Sequence, residues 1–348
     1  MNGTSGSHDM KRVYILILNW NGWGDTIECL ESVFRLDYPD FRVIVCDNDS
    51  GDGSMEKIQA WAEGKLDVYV PVRQTLRHLS FPPQPKPIDY VVYDRSEAEA
   101  GEVKSNTLAL TLIQTGANLG FAGGNNVGMR YALLQDDFDF VWLLNNDTVV
   151  KPDALSWMVK RMEECPDAGM CGSSLPYYDE PNVMWASGGG IYNRWLARSH
   201  SIDANKSIAE ISSQEQVETR MVYLAGASML VLKKFILDIG LMAEDYFLYF
   251  EEIDWSMRGK RSYSLAFSPE STVYHKVGRS IGTAGKHTAA YQRAVCLTMK
   301  NRIRFTAKFF PAALPPTIVI SFFDLIAMAG TICWNRVLSK VKYNRSKE

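Results

Sequence analysis

The fold is decided by the stretch VYILILNWNGWGDTIECLESVFRLDYPDFRVIVC, which spans residues 13–46. It begins and ends with short apolar runs, residues 13–18 and 41–46, which are typical of strands covered on both faces. Between them, Asp25 followed by Glu28 predicts a capping box and a helix that ends before Pro39. Strand, helix and strand form a βαβ unit, whose right-handed crossover brings both strand ends to one sheet edge. Ligands of open α/β sheets bind at that edge.

The remaining elements extend this pattern. Further strands are predicted at residues 66–70, 108–113 and 140–144, and helices near residues 54–61, 124–134 and 152–162. The stretch 71–106 contains five prolines and a charged run, and we interpret it as an insertion rather than a sheet element. The parallel sheet is therefore expected within residues 11–150.

Composition excludes a disordered or fibrous chain. With 348 residues, 46% hydrophobic and 22% charged, the chain has the composition of an ordinary globular protein, and its length predicts two lobes that share a cleft. The six cysteines form no C-x-x-C pair, which favours a reduced, cytosolic setting. Residues 1–10 are polar and lack the apolar core of a signal peptide, so we expect a disordered tail there.

Charge is uneven along the chain. The net charge is −3, although residues 291–348 carry ten Lys and Arg side chains against Asp324 and Glu348. This basic end adjoins an apolar stretch, residues 318–334, and it lacks the interleaved aromatic pattern of a nucleic-acid groove, so an anionic membrane surface is the predicted partner. For the segment 312–334 three alternatives stay open: a buried helix, an interfacial helix and a membrane span. Asp324 disfavours the span, because its charge would cost about 2.5–3.5 kcal/mol at a bilayer centre.

Polar side chains follow the first two strands. Asn19-Trp-Asn-Gly22 follows the first strand, and Asp47-Asn-Asp-Ser-Gly-Asp-Gly-Ser54 follows the second. Carboxylates and amides at this edge suit the ring and ribose of a nucleotide, while glycines allow the backbone to turn tightly. The alternative is an ordinary turn, since these residue types also dominate turns without any ligand.

The stretch Asn118-Leu-Gly-Phe-Ala-Gly-Gly-Asn-Asn-Val-Gly128 is more specific. Its glycines and asparagines open a predicted helix, where exposed backbone N–H groups attract an anion. It matches neither a G-x-G-x-x-G fingerprint nor a P-loop. Close helix packing with capping is the alternative interpretation.

Two further residues suit a metal. Asp147 ends the strand and tip Val141-Trp-Leu-Leu-Asn-Asn-Asp-Thr148, where a carboxylate can bind Mg²⁺ or Mn²⁺. His275 follows a predicted strand and could add an imidazole ligand to such a site. A turn cap at Asp147 and a structural histidine at His275 are the alternatives.

Three carboxylates stand close together in Phe247-Leu-Tyr-Phe-Glu-Glu-Ile-Asp-Trp255. Acidic residues at a helix start interact favourably with the helix dipole, which is one explanation of the cluster. Crowding of Glu251, Glu252 and Asp254 beside aromatic side chains also raises a carboxyl pKa, which suits a general base that deprotonates a hydroxyl.

Taken in order, these motifs and His275-x-x-Gly278 resemble family 2 glycosyltransferases, most closely the rhamnosyltransferase-like branch, over residues 11–305. The resemblance implies a GT-A fold and an inverting displacement, with Asp47 on the pyrimidine or ribose, Asp147 on the metal, His275 on the metal or the diphosphate, and Glu252 as base. Glu251 and Asp254 are the fallback bases, and Trp255 and Gly226 are expected to contact the acceptor. The expected donor-binding residues are Asn19, Asn21, Asp47, Asn48, Ser50, Asp52, Asn118, Gly120, Phe121, Gly123, Gly124, Asn125, Asn145 and Asn146.

Two positions depart from the family pattern. The acidic D-x-D signature appears as Asn145-x-Asp147, with one carboxylate fewer for the cation. Glu252 stands where the branch commonly has Asp, so the base would reach one methylene further. The first departure implies metal binding that is weaker or that depends more on the substrate phosphates, whereas the second preserves the chemistry of the base.

The resemblance implies a nucleotide-sugar lobe at residues 11–150, an acceptor and catalytic lobe at 151–305, and an apolar helix with a basic tail at 306–348. L-rhamnose from dTDP-L-rhamnose is the expected donor sugar, moved to a glycan or lipid-linked glycan on the cytoplasmic face of the cell membrane. Alternatives are a UDP-hexose donor, a nucleotidyltransferase and a non-catalytic binding scaffold. A nucleotidyltransferase would ordinarily carry a basic, Gly-rich loop after the first strand, which residues 19–25 lack.

Overall fold

A computed structural model describes residues 10–104, 108–277 and 289–326, which form an α/β fold around a ten-stranded sheet. The strands are β1 (Val13–Asn19), β2 (Phe41–Asp47), β3 (Tyr90–Asp94), β4 (Leu110–Gln114), β5 (Phe140–Asn145), β6 (Thr148–Val150), β7 (Ala168–Pro176), β8 (Met184–Ser187), β9 (Gly189–Asn193), β10 (Arg198–Ser201), β11 (Tyr223–Leu224), β12 (Ser228–Leu232) and β13 (Ser264–His275). The helices are α1 (Trp23–Val33), α2 (Ser54–Ala62), α3 (Arg95–Ala100), α4 (Gly120–Gln135), α5 (Ala154–Glu164), α6 (Gln214–Arg220), α7 (Lys233–Ile239), α8 (Glu251–Gly259) and α9 (Ala289–Phe309). Short 3-10 turns lie at Arg77–Leu79, Ile208–Glu210, Glu244–Tyr246 and Pro311–Ala313.

The predicted βαβ unit is present. β1 pairs in parallel with β2 along its whole length, from Val13 opposite Phe41 to Asn19 opposite Asp47. Five strands, in the order β3-β4-β2-β1-β5, are parallel. β4, β2, β1 and β5 are largely buried, as their continuous apolar runs predict, whereas the edge strand β3 is partly exposed. The α/β class with a mostly parallel sheet flanked by helices is confirmed, and the carboxyl ends of these strands meet at one edge.

The sheet continues beyond residue 150, contrary to our expectation. β12 lies antiparallel beside β5, and β7, β13 and β6 follow it in the same sheet. A second, three-stranded sheet contains β10, β9 and β11. The first half alone would leave the apolar face and edge of β5 uncovered, so strands from the second half complete the core.

Two predictions for the chain between β2 and β4 are wrong. Residues 66–70 form no strand; instead Val68 and Val70 are buried in the core as irregular chain. The edge of the sheet is taken by β3, which pairs in parallel with β4 although it lies inside the stretch 71–106 that we interpreted as an insertion. Hydrophobic periodicity does not show which of two short apolar runs pairs with β4 as the edge strand of the sheet.

The predicted capping box at the start of α1 is also absent. The helix begins at Trp23, Gly22 is its N-cap, and no side chain caps it. Asp25 therefore lies in the first turn, where its carboxylate and that of Glu28 bind Lys276 from a distant part of the chain. A tertiary ion pair has replaced the local bond that the spacing predicts.

The C-terminal end is helical, as expected. α9 is followed by a helix over residues 314–326, in which Asp324 pairs with Arg198 and Arg302 at 2.6 Å each. Across the described residues, no helix is both long and apolar enough to cross a membrane. Residues 327–334 of the segment in question, the tail to residue 348, Gly278 and residues 1–9 lie outside the described residues.

Candidate active site

Asp47 is the centre of a hydrogen-bond network at the carboxyl edge of the sheet. Its buried carboxylate accepts from Asn19 Nδ2 at 2.6 Å, Ser50 Oγ at 2.6 Å, Ser50 N at 3.1 Å and Gln114 Nε2 at 3.0 Å. The ends of β1, β2 and β4 thus converge on one side chain. Sequence reasoning missed Gln114, although a polar residue at the end of a third parallel strand was the available signal.

The two loops beside Asp47 are bonded to each other. Asn21 N donates to Ser50 Oγ and Asn21 Oδ1 accepts from Gly51 N, each at 2.8 Å. Asp52 accepts from the backbone of Ser54 at 3.1 Å, at the start of α2. The structure therefore brings together the residues predicted after the first and second strands, in two loops that are hydrogen-bonded to each other.

The asparagines before α4 serve the start of that helix. Asn48 Nδ2 donates to Asn118 Oδ1 and to the carbonyl of Gly120, both at 3.1 Å, while Leu119 N donates to Asn48 Oδ1 at 3.0 Å. Gly120 N donates to Asn118 Oδ1 at 3.0 Å. These bonds fix the orientation of the helix start beside the Asp47 network.

The glycines of this stretch lie within α4 rather than in a loop before it. A Cβ on Gly124 would lie 2.4 Å from Leu18 Cδ1, and one on Gly128 would lie 2.4 Å from Leu16 Cδ1. Both glycines let the helix pack closely on β1, and a Cβ on Gly123 would clash with Leu119. Close packing, the alternative interpretation, therefore accounts for Gly123, Gly124 and Gly128, while the expected contact of this stretch with an anion stays a prediction.

Asn125 and Asn126 are buried and bonded within the protein. Asn125 Nδ2 donates to the carbonyl of Phe121, and Asn126 Nδ2 donates to the carbonyl of Met242 and to Glu244 Oε1, each at 2.9 Å. These amide donors hold α4 against the segment that leads to α8. Their predicted contact with a donor molecule has no support from their positions.

The turn between β5 and β6 places Asp147 next to His275. The backbone N–H of Asn145 donates to the carbonyl of Ala227, and Asn146 Nδ2 donates to Thr26 Oγ1, each at 3.0 Å. β6 pairs with the end of β13, so the buried Asp147 Oδ1 lies 3.3 Å from His275 Nε2. The two predicted metal ligands are therefore adjacent, although 128 positions separate them in the chain.

Lys276, next to His275, is a buried cation that sequence reasoning missed. Its Nζ lies 2.6 Å from Asp25 Oδ1 and 2.7 Å from Glu28 Oε2, and its side chain is 1% exposed. Glu28 also accepts from the hydroxyls of Ser80 and Tyr178. This ion-pair cluster ties the end of β13 to α1, directly behind the Asp147–His275 pair.

Glu251 and Glu252 begin α8. Burial raises the pKa of both carboxyls, that of Glu252 to about 7 and that of Glu251 well above its ordinary value, with the negative charge of Glu252 adding to the effect on Glu251. Among the described residues, Oε2 of each has no hydrogen-bond partner. Glu251 is buried, whereas Glu252 retains partial solvent exposure. Among the carboxylates of the site, these two are the ones whose pKa is raised.

Asp254 and Trp255 have other environments. The buried carboxylate of Asp254 binds Arg258 at 2.8 Å, Lys308 at 2.6 Å and the Tyr246 hydroxyl at 2.9 Å, so it is a structural ion pair rather than an available base. Trp255 is fully buried, and its indole N–H donates to the carbonyl of Gly240. Its predicted contact with an acceptor is wrong for this structure, because no face of the ring reaches the surface.

Contacts connect the acidic pair to the rest of the site. Phe121 N, in the first turn of α4, donates to the carbonyl of Phe247 at 2.6 Å. The Phe121 ring lies beside Gly226, where a Cβ would be 3.6 Å from its Cζ. The start of α4, the β11–β12 turn and the segment before α8 therefore adjoin one another.

The model of glycosyl transferase family 2 matches residues 14–77 and 89–213, more than half of the chain. The chain belongs to glycosyl transferase family 2. The matched residues include the Asp47 network, the start of α4 and Asp147, whereas Glu251, Glu252 and His275 lie outside them. The predicted family and enzyme class are confirmed, while the rhamnosyltransferase-like branch stays a prediction.

Individual relatives of this family 2 glycosyltransferase are distant. The low-salt glycan biosynthesis hexosyltransferase Agl10 of Haloferax volcanii is 22% identical over 174 residues, which cover 50% of this chain and 53% of Agl10. The chain thus spans about half the length of this curated relative. A mannosyltransferase from Pyrobaculum calidifontis, solved with GDP-Man and Mn²⁺, has a TM-score of 0.48 and 15% identity, covering 97% of this chain and 82% of its own. TarS of S. aureus, residues 1–349, has a TM-score of 0.44 and 13% identity, covering 84% and 65%.

Proposed function

We propose that this chain is an inverting glycosyltransferase that moves a hexose from a nucleoside-diphosphate sugar to a hydroxyl of a glycan acceptor, with Glu252 as general base. One observation carries the choice of base. Of the three clustered acidic residues, Glu252 alone combines partial exposure with a raised pKa, whereas Glu251 is buried and Asp254 is held in ion pairs. A base with a pKa near the working pH is the most effective kind.

In the proposed reaction Glu252 removes the proton from the acceptor hydroxyl as its oxygen attacks the anomeric carbon. The new C–O bond forms on the face opposite the diphosphate, and the electron pair of the breaking C–O bond leaves with the diphosphate. Direct displacement inverts the configuration and needs no covalent enzyme intermediate.

The donor nucleotide is proposed to lie over the Asp47 network. Asp47 and Asn19 present a fixed carboxylate and amide at the edge where nucleotides bind in open α/β sheets. We propose dTDP-L-rhamnose as the donor, from the likeness to the rhamnosyltransferase-like branch, with a UDP-hexose as the alternative. The likeness to the hexosyltransferase Agl10 fits a hexose of either kind.

A divalent cation, Mg²⁺ or Mn²⁺, fits beside Asp147 and His275. Both side chains are buried, their Oδ1 and Nε2 atoms are 3.3 Å apart, and His275 Nδ1 has no hydrogen-bond partner in the part of the chain that the structure describes. Carboxylate and imidazole are suitable donors, but the described residues contain no cluster of three such ligands. We propose that the donor's own diphosphate completes the coordination; when bound, the cation would neutralise the charge of the leaving group.

We further propose that the acceptor is lipid-linked and that the protein lies on the cytoplasmic face of a membrane. The helix over residues 314–326 exposes a stripe of apolar side chains, and the β9–β10 turn exposes Trp195 and Leu196 beside it, where Arg198 pairs with Asp324. The stripe consists of Ile318, Val319, Phe322, Phe323 and Ile326, each at least 50% exposed. Apolar stripes flanked by cations suit the surface of an anionic bilayer.

Two measurements test the transferase. Calorimetry with dTDP-rhamnose, UDP-glucose, UDP-galactose and GDP-mannose, each with and without Mn²⁺ or Mg²⁺, should reveal one donor that binds with metal assistance. Glu252→Gln should then abolish transfer while donor binding persists, and its matched control Glu251→Gln should retain transfer. Transfer by Glu252→Gln at the wild-type rate would remove Glu252 as the base, and retention of configuration in the product would exclude direct displacement.

Flotation with vesicles tests the membrane surface. The double substitution Phe322→Ser with Phe323→Ser should reduce binding to vesicles that contain anionic phosphatidylglycerol. Tyr69→Ser, which removes an aromatic side chain that is 86% exposed elsewhere, is the matched control. Equal flotation of both variants and the wild type would contradict this surface.

A further inference from the structure

The segment that leads to Glu251 and Glu252 has an unusual backbone. Phe247, Tyr249 and Phe250 have φ angles of 62°, 70° and 78°, in the left-handed region that bulky L-residues rarely adopt. None of the three is glycine, so the conformation costs free energy that the surroundings must offset. Phe250 directly precedes α8, so this backbone sets the direction in which the two carboxylates leave the helix start.

One side chain holds this segment from the α9 side. Asn301 is buried, and its Nδ2 lies 2.7 Å from the carbonyl oxygen of Tyr246, 2.8 Å from that of Leu248 and 3.0 Å from that of Tyr249. A single amide nitrogen thus contacts three carbonyls within four consecutive residues. Because this nitrogen carries only two N–H donors, at least one of them is shared between two carbonyls.

The opposite side of the segment is held by α4. The carbonyl of Phe247 accepts from Phe121 N, and a Cβ on Gly120 would lie 2.2 Å from that carbonyl oxygen. Gly120, with φ of 72°, is therefore required for the close approach of the two chains. The segment is fixed between the start of α4 and Asn301.

We infer that Asn301 is a positioning residue for glycosyl transfer: by holding the carbonyls of Tyr246, Leu248 and Tyr249 it fixes the backbone from which Glu252 reaches the acceptor hydroxyl. The inference rests on the proposed role of Glu252 as base. Asn301 itself lies behind the segment and contacts carbonyls, so it acts through the base and not on the substrate. Its loss should therefore lower kcat and leave donor binding intact.

Asn301→Asp is the main test, because it preserves the shape of the side chain and replaces the donating NH₂ with an acceptor. Asn301→Ser is a milder second variant that retains a hydroxyl donor. Thr306→Val is the matched control, since it removes a polar group from a fully buried position on the same helix, where the hydroxyl lies 3.4 Å from that of Tyr192 and not against the carbonyls that Asn301 holds. Hydrogen exchange of the peptide that covers residues 246–250, kcat, and the dissociation constant of the donor are measured for all three.

In Asn301→Asp we expect faster exchange in that peptide and a fall in kcat of about 100-fold, the usual cost of displacing a catalytic group by about 1 Å. Donor affinity should be that of the wild type, and Thr306→Val should change neither the exchange nor kcat. Wild-type kcat in Asn301→Asp, or a loss of donor binding that matches the loss of kcat, would overturn the inference. Failure of both Asn301 variants to fold would also overturn it, because Asn301 would then serve the fold and not the base.

The exchange measurement separates this inference from the proposed function. If Glu252→Gln retains activity, the base assignment has failed, whatever Asn301 does. If Glu252→Gln is inactive while Asn301→Asp exchanges and turns over like the wild type, the positioning role alone has failed.

Discussion

Replacing Lys276 with methionine should destabilise this protein more than the loss of any surface lysine. The substitution keeps most of the aliphatic volume but removes the ammonium group that lies 2.6–2.7 Å from Asp25 and Glu28. The Lys276 side chain is 1% exposed and that of Glu28 is 7% exposed, so water cannot replace the lost cation. The Glu28 carboxylate would remain as a buried charge without its counterion.

Breaking a buried ion pair by removing one partner costs about 3–5 kcal/mol. We expect the lower end, about 3 kcal/mol, because Glu28 keeps two hydroxyl donors, Ser80 and Tyr178, and because Asp25 is 24% exposed. With an unfolding entropy of about 2.1 cal/mol/K per residue over 348 residues, this loss lowers Tm by about 4 °C.

Chemical denaturation and thermal scanning of matched variants measure this change. Lys65→Met is the control, because Lys65 and its partner Glu63 are 73% and 37% exposed and such a pair contributes about 0–1 kcal/mol. The double substitution Lys276→Met with Glu28→Gln should recover part of the loss, since it removes the unpaired charge. Denaturation midpoints of Lys276→Met and Lys65→Met that coincide would refute the reasoning.

Three further predictions follow from the site and the core. Because the base must be ionised and burial raises the pKa of Glu252 to about 7, kcat should rise about tenfold between pH 6 and pH 8, in a pH–rate profile whose apparent pKa belongs to the coupled pair with Glu251; a flat profile over this range argues against that base. Gly128→Ala should lower the free energy of unfolding by about 1–3 kcal/mol in urea melts, since its Cβ would lie 2.4 Å from a buried atom of Leu16, whereas an unhindered helix would gain from alanine; a stabilised variant contradicts the packing. Asp254→Asn should lower Tm, because it leaves the cations Arg258 and Lys308 without their carboxylate, yet turnover of the folded variant should persist. An inactive variant with the wild-type Tm would instead indicate that Asp254 is the base.

Local patterns were sufficient for the βαβ unit of the first half. The runs at residues 13–18 and 41–46 are continuous because parallel strands are covered on both faces, and both strands formed where the pattern placed them. The polar residues after those strands converge on Asp47 because the crossover rule brings parallel strand ends to one edge. These features depend on near neighbours in the chain and on a general rule of topology.

Competition between segments could not be read from the sequence. Residues 66–70 and β3 are similar apolar runs, and only pairing with β4 decides which of them becomes the edge strand. Likewise, the Asp25 and Glu28 spacing suits a capping box, but an ion pair with Lys276 from the far end of the sheet is stronger than one local bond. Nor could the sequence show that Gly124 and Gly128 lie against the side chains of Leu18 and Leu16 on β1.

The sequence by itself determined the α/β class, the family and the residue types of the site, because these follow from periodicity and from the order of motifs. Only the tertiary structure separated the environments of the three acids, since Asp254 is paired with Arg258 and Lys308 and Glu251 is more deeply buried than Glu252. It alone also brought Asn301 to the segment before α8. Burial, charge pairing and the capture of carbonyls depend on residues far apart in the chain, which meet only when the sheet and its helices are assembled.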